Sequence, residues 1–267
     1  MNNKLFKLII TAIFTALTFS LTYAHVDLPT GAKVHLGNFA GTLTALLFGA
    51  IPGGIAGGLG MMLCDIASGY DPSTFLRTLI VKFIFCFLVG YLFRFFIKRR
   101  KATRITLYIT TVSFIIFFIV SIIIFSNAPL YENGNAIFKN VLNTDKKIKL
   151  SYLVPLFSGI FSLLLTIVSI ISFKFNAINL AVITVSTLGI IINTILEFVL
   201  RILFKGILIN DFYSAYVESV TKLPSNLITG VVTIIFTLGL FMPAYKALKN
   251  EKRFLEISDL SFDENEK

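Results

Sequence analysis

The chain has 267 residues, 56% of them hydrophobic and only 14% charged, and its mean hydropathy of +0.85 excludes a soluble globular domain of ordinary composition. It reads as an integral membrane protein. The formal charge of +10 does not make it a nucleic-acid binder, because its Lys and Arg cluster beside apolar runs, where the positive-inside rule accounts for them.

A bilayer core about 30 Å thick takes roughly 20 apolar residues per helix. On that measure eight spans are expected, over residues 5–24, 37–51, 53–70, 75–97, 105–126, 152–173, 178–205 and 223–246. The first begins after Lys4 and Lys7 in the manner of a signal peptide, but its long, hydroxyl-threaded run, with further spans behind it, reads as a retained helix. It places Ala12, Ala16, Ser20 and Ala24 four apart, with Thr11, Thr15, Thr18 and Thr22 on the adjoining strip. Small residues at this spacing admit a second helix backbone, from this chain or from a partner subunit, and the hydroxyls can bond to neighbouring helices.

Residues 37–70 are too long for one span, and Pro52, Gly53 and Gly54 are expected to turn the chain between two short helices. Gly53, Gly54, Gly57, Gly58 and Gly60 then supply small-xxx-small spacing for close helix packing. They are not a nucleotide fingerprint, since no Walker lysine or ribose-binding acid accompanies them. Near the end of the third span stands Asp65, either an interfacial carboxylate reaching water or a cavity residue. In the fourth span Thr74, Thr78 and Lys82 share a face, and Lys82 lies deep enough to need a counter-charge or a ligand; Asp65 is one possible partner. Cys64 and Cys86 fall in apolar runs without metal-ligand spacing and read as small core residues. With no Trp in the chain, Tyr23, Tyr70, Tyr91, Tyr108 and Tyr152 are the expected interfacial anchors.

The fifth and sixth spans carry no charge and read as a lipid-facing hairpin. The seventh bears a polar stripe at i+4 steps, Asn193, Glu197, Arg201 and Lys205, with Glu and Arg in the favourable order for an internal pair. In the eighth, Pro224 suits an early helix position and Asn226, Thr229, Thr233 and Thr237 share a face. Basic residues flanking the first, fourth, sixth and eighth spans put both termini in the cytoplasm, at the cell membrane. The basic segment 127–151, with Lys139, Lys146, Lys147 and Lys149, then falls outside against the rule, and the acidic residues 257–267 form a solvated tail. With that topology Asn38, Asp65, Lys82, Asn193, Glu197, Arg201 and Asn226 all sit in the outer half. They describe a pocket open to the exterior better than a pore, with the loop from His25 to Gly37 as its lid.

These residues resemble the substrate-binding S component of energy-coupling factor (ECF) vitamin transporters, in particular the riboflavin-type branch. The resemblance rests on Ala12-xxx-Ala16, HLGNF, LLFGAIPGGIAGGLGMMLCDIASGY, DPSTF, TLIVK and LPSNLITGVV, in that order along the chain. It implies a six-helix core capturing a vitamin from outside, riboflavin as the first candidate, and docking through Ala12 and Ala16 on a transmembrane coupling subunit served by two ATPase subunits. Two features depart from the family: an additional apolar hairpin, and Arg77 where a smaller residue is expected. The expected organisation is therefore all-α, with a six-helix S-component-like core plus that hairpin. Residues 1–104 form four helices, 105–177 the hairpin, 178–247 the last two core helices and 248–267 a tail. The chain lacks a Walker motif and is expected to be no enzyme and to need no cofactor, metal or nucleic acid. A self-sufficient secondary transporter and an intramembrane enzyme using Asp65 and Glu197 are the rival readings.

Overall fold

The structure, a computed structural model, describes residues 3–27, 33–132, 135–138, 148–209, 212–252 and 254–255. Helix α1 (Asn3–Tyr23) leads through an antiparallel hairpin, β1 (His25–Asp27) and β2 (Lys33–His35), into α2 (Gly37–Phe48), α3 (Ala50–Ala67) and α4 (Pro72–Ile97). Next come α5 (Arg100–Ser126), a three-stranded antiparallel sheet of β3 (Leu130–Glu132), β4 (Asn135–Phe138) and β5 (Ile148–Ser151), and α6 (Leu153–Ile171). The last helices are α7 (Ala177–Ile209), α8 (Phe212–Thr221) and α9 (Leu223–Leu248). Seven of these helices are long and apolar enough to cross a membrane, and α2 is a shorter apolar one. The chain is an all-α, multi-pass membrane protein, and its apolar helices coincide with the eight expected spans to within a few residues at each end.

The turn between the second and third spans falls at Gly49 and not at Pro52–Gly54. Gly49 adopts φ 110°, a backbone that L side chains rarely take, and its N–H bonds back to Ala45 O to close α2. Pro52 instead lies in the first turn of α3, where a missing N–H removes no intrahelical bond, so it helps start a helix at the point where the sequence placed the turn. Arg94 on α4 secures the break by donating to Ala45 O at 3.1 Å and Gly90 O at 3.0 Å. Gly53 then lets α3 lie on α2: a Cβ there would come within 2.3 Å of the Ala45 Cβ. A Cβ at Gly60 would meet Thr18 at 2.6 Å, so the same glycine run also seats α3 on α1.

The hydroxyls of α1 do not reach other helices as expected. Thr11, Thr15, Thr18 and Thr22 each donate to the carbonyl four residues earlier, which satisfies the hydroxyl within its own helix. Cys64 and Cys86 are buried and form no disulfide, and all five expected tyrosine anchors have exposed side chains. The α5–α6 hairpin presents Ile109, Val112, Ile116, Leu163 and Ile170 outward, while its inner face packs on α7 and α9. Between its helices Thr111 and Ser169 share a hydrogen bond of 2.7 Å, and Ser121 and Ser158 one of 3.3 Å. Lys139, Lys146, Lys147, the side chain of Lys149, Arg253 and the tail 257–267 lie outside the described residues.

A packed core of Leu46, Phe48, Phe93, Phe96, Phe241, Tyr245 and Phe254 fills the end of the bundle that carries the start of α1. At the other end the polar residues of α2, α3, α4, α7 and α9 gather. α7 is the longest element, about 50 Å at 1.5 Å per residue, so its last turns project past a core about 30 Å thick.

Candidate ligand-binding site

A cavity of about 230 Å³ opens at this polar end. Its lining includes Asn38, Asp65, Lys82, Glu197, Arg201 and Asn226, six of the seven residues expected to share a pocket. The seventh, Asn193, stands behind the wall and accepts a hydrogen bond of 2.8 Å from Lys82 Nζ. The β1–β2 hairpin sits at the mouth and contributes His25, Lys33 and His35; residues 28–32 of that expected lid lie outside the described residues.

Each wall has a local cause. Asp71 caps α4, accepting from the Thr74 N–H at 3.1 Å and from the Thr74 hydroxyl at 2.8 Å, and it also accepts from Ser73. Those hydroxyls hold the Asp71 carboxyl down at about 2. The cap fixes where α4 begins and so sets Lys82 about 15 Å along the helix. There Lys82 is 6% exposed and its ammonium meets Glu197 Oε1 at 3.0 Å. Its counter-charge is thus on α7, not Asp65 on α3, because α4 turns its Thr78–Lys82 face toward both helices and Glu197 approaches more deeply. Glu197 also takes Arg201 Nη2 at 3.1 Å, the internal i,i+4 pair read from the sequence.

Sequence reasoning missed α8. Its Glu218 accepts from Arg201 Nη1 at 2.8 Å and from Lys205, extending the chain of charges from the buried floor to the rim. Burial opposes ionisation of Glu218, but Lys205 and Arg201 hold its carboxyl below the ordinary range. The segment is too short to span and too polar to score as apolar; the available signal was a carboxylate following Arg201 and Lys205 within one turn-and-return of the chain. Thr22, Tyr70, Arg77 and Lys222 also line the cavity without having been assigned to it.

His35 is held neutral. Burial, and after it Lys82, pushes its imidazole down to about 3, and Nδ1 accepts the Gly37 N–H at 3.2 Å, which leaves the proton on Nε2. Among the described residues no group of three or more His, Cys, Asp or Glu is placed to hold a metal ion. Chemically, the cavity offers fixed donors and acceptors of both signs around a small polar molecule, closed below by the aromatic core.

Away from the cavity, Ala12 and Ala16 are exposed on α1 and line a shallow apolar groove with Leu8, Ile55, Leu59 and Leu63.

A family model described as "ECF-type riboflavin transporter, S component" matches residues 2–143, from α1 into the segment after α5. No curated protein and no solved structure matches the chain.

Proposed function

The chain belongs to the family of ECF-type riboflavin transporter S components, a vitamin-binding transport subunit and not an enzyme, and from that premise we propose that it captures a vitamin or vitamin precursor from the cell exterior for ATP-driven uptake by partner subunits. Riboflavin is the first candidate. The observation that carries the reading is the one-ended cavity: polar side chains from α2, α3, α4, α7 and α9 converge at one end, and a packed aromatic core lies beneath them. That shape suits capture from one side better than a continuous path across the bilayer.

In this reading Asn38, Asp65, Lys82, Glu197, Arg201 and Asn226 contact the ligand, and Asn193 orients Lys82. Ala12 and Ala16 dock on the transmembrane coupling subunit, which two ATPases drive. The basic ends of α1, α4 and α9 support cytoplasmic termini. Residues 1–104 and 178–247 form the binding core, 105–177 an added hairpin and 248–267 a cytoplasmic tail whose Phe254 is anchored in the aromatic core.

Reconstitution tests this directly. In liposomes with internal ATP, labelled riboflavin should accumulate only when this chain is combined with a coupling subunit and its ATPases. Accumulation by the chain alone would make it a secondary transporter instead.

A further inference from the structure

The cavity contains more positive charge than its carboxylates can use. Six Lys and Arg line it against four Asp and Glu. Glu197 and Glu218 are engaged by Lys82, Arg201 and Lys205, and Asp71 is occupied as the cap of α4.

Arg77 stands apart. It is 4% exposed, its Nε and Nη1 have no hydrogen-bond partner, and no ion pair to it occurs among the described residues. A buried guanidinium with unpaired donors costs several kcal/mol unless something else pairs it. Asp65 faces the same cavity beside Thr78 without closing an ion pair to Arg77. Lys222 lines the same cavity, and no ion pair to it occurs among the described residues. Lys222 also sits where α9 begins. That helix start has no side-chain cap, and Ser225 and Asn226 of its first turn face the cavity, so the positive end of the helix dipole points there as well.

A planar guanidinium fork, an ammonium and an uncapped helix N-terminus form one field around one space. Resting on the reading of this cavity as the vitamin site, we propose that its ligand carries a phosphate ester, received by Arg77 with Lys222 and the first turn of α9, and that the wholly neutral vitamin is the weaker ligand. Bidentate pairing with an oxyanion is what a guanidinium fork suits best, and an ester dianion presents enough acceptors for both cations.

Riboflavin and riboflavin 5′-phosphate differ only in that group, so their binding to the purified full chain, followed by quenching of flavin fluorescence, isolates it. The phosphate ester is expected to bind about tenfold or more tightly than riboflavin, the gain of one or two charge-assisted hydrogen bonds. Arg77→Gln should bring that ratio toward unity and Arg77→Lys should keep part of it, with rising salt eroding the preference in the native chain. Riboflavin binding as tightly as its phosphate, or an unchanged ratio in Arg77→Gln, overturns the proposal while leaving vitamin capture standing. Should neither flavin bind, the melting temperature is read with inorganic phosphate alone. A rise in the native chain that Arg77→Gln abolishes keeps the anion site and removes the flavin reading. No rise removes the anion site as well.

Discussion

Glu197 is the residue on which the interior charges depend. It accepts Lys82 and Arg201 together, both buried, so its removal leaves Lys82 without a carboxylate partner beside Arg201, which keeps Glu218. Glu197→Ala is expected to destabilise the protein by about 3–5 kcal/mol, read as thermal unfolding in detergent, and adding Lys82→Met should recover part of the loss. Asp65→Asn should cost far less, because Asp65 lies outside that pairing. An equal loss in both variants would return Asp65 to the role of counter-charge. His35 makes stability depend on pH with a definite sign. Its folded pKa of about 3 lies below the ordinary imidazole value of 6.5, so the unfolded chain binds the extra proton between those limits. The contribution is therefore complete above pH 6.5 and is lost as pH falls toward 3. Lys82, Glu197, His25 and Lys33 are the charges that act on it, and His35→Gln should flatten the slope of melting temperature against pH across this window. Pairing at this level was only half legible in the sequence. The i,i+4 relation of Glu197 and Arg201 follows from helical periodicity alone, whereas Lys82–Glu197 depends on how α4 is rotated against α7, which no local pattern encodes.

Among the elements, α3 and α8 show opposite degrees of legibility. The glycine spacing of α3 announces close packing, and the structure uses it on two sides, against Ala45 and against Thr18. The turn before it was misplaced because Pro and Gly–Gly signal turns in water, while at a helix start the same residues are tolerated or useful. Helix α8 is too short to read as a span; Glu218 ties it to α7, and Val220 and Tyr216 pack it against the bundle. In Glu218→Gln the clamp on Arg201 and Lys205 weakens, and amide exchange across residues 212–221 should quicken by an order of magnitude or more, with little change in α4. If the exposed alanines of α1 dock as proposed, changing them separates docking from folding. Ala12→Phe together with Ala16→Phe should leave the melting temperature nearly unchanged and abolish co-purification with the coupling subunit; retained co-purification would move the docking surface elsewhere.

At the scale of the whole molecule, two halves of unequal character share one bundle: a polar chamber at one end and an aromatic plug at the other. The family match ends at residue 143, so α6–α9, with Glu197, Arg201, Glu218 and Asn226, lie outside the matched residues, and their role in the site rests on geometry. Hydropathy made the membrane class and the number of apolar helices readable, because each span must satisfy its own backbone in lipid. It says nothing about which polar faces meet. The central claim is that this chamber holds the transported ligand, and mass spectrometry of the small molecule released on denaturing the purified chain tests it most directly. Stoichiometric recovery of a vitamin or its phosphate ester is expected from the native protein, with loss of it from a folded Asp65→Ala, Asn226→Ala double variant. No bound molecule from the native chain, or undiminished recovery from the variant, would contradict the claim.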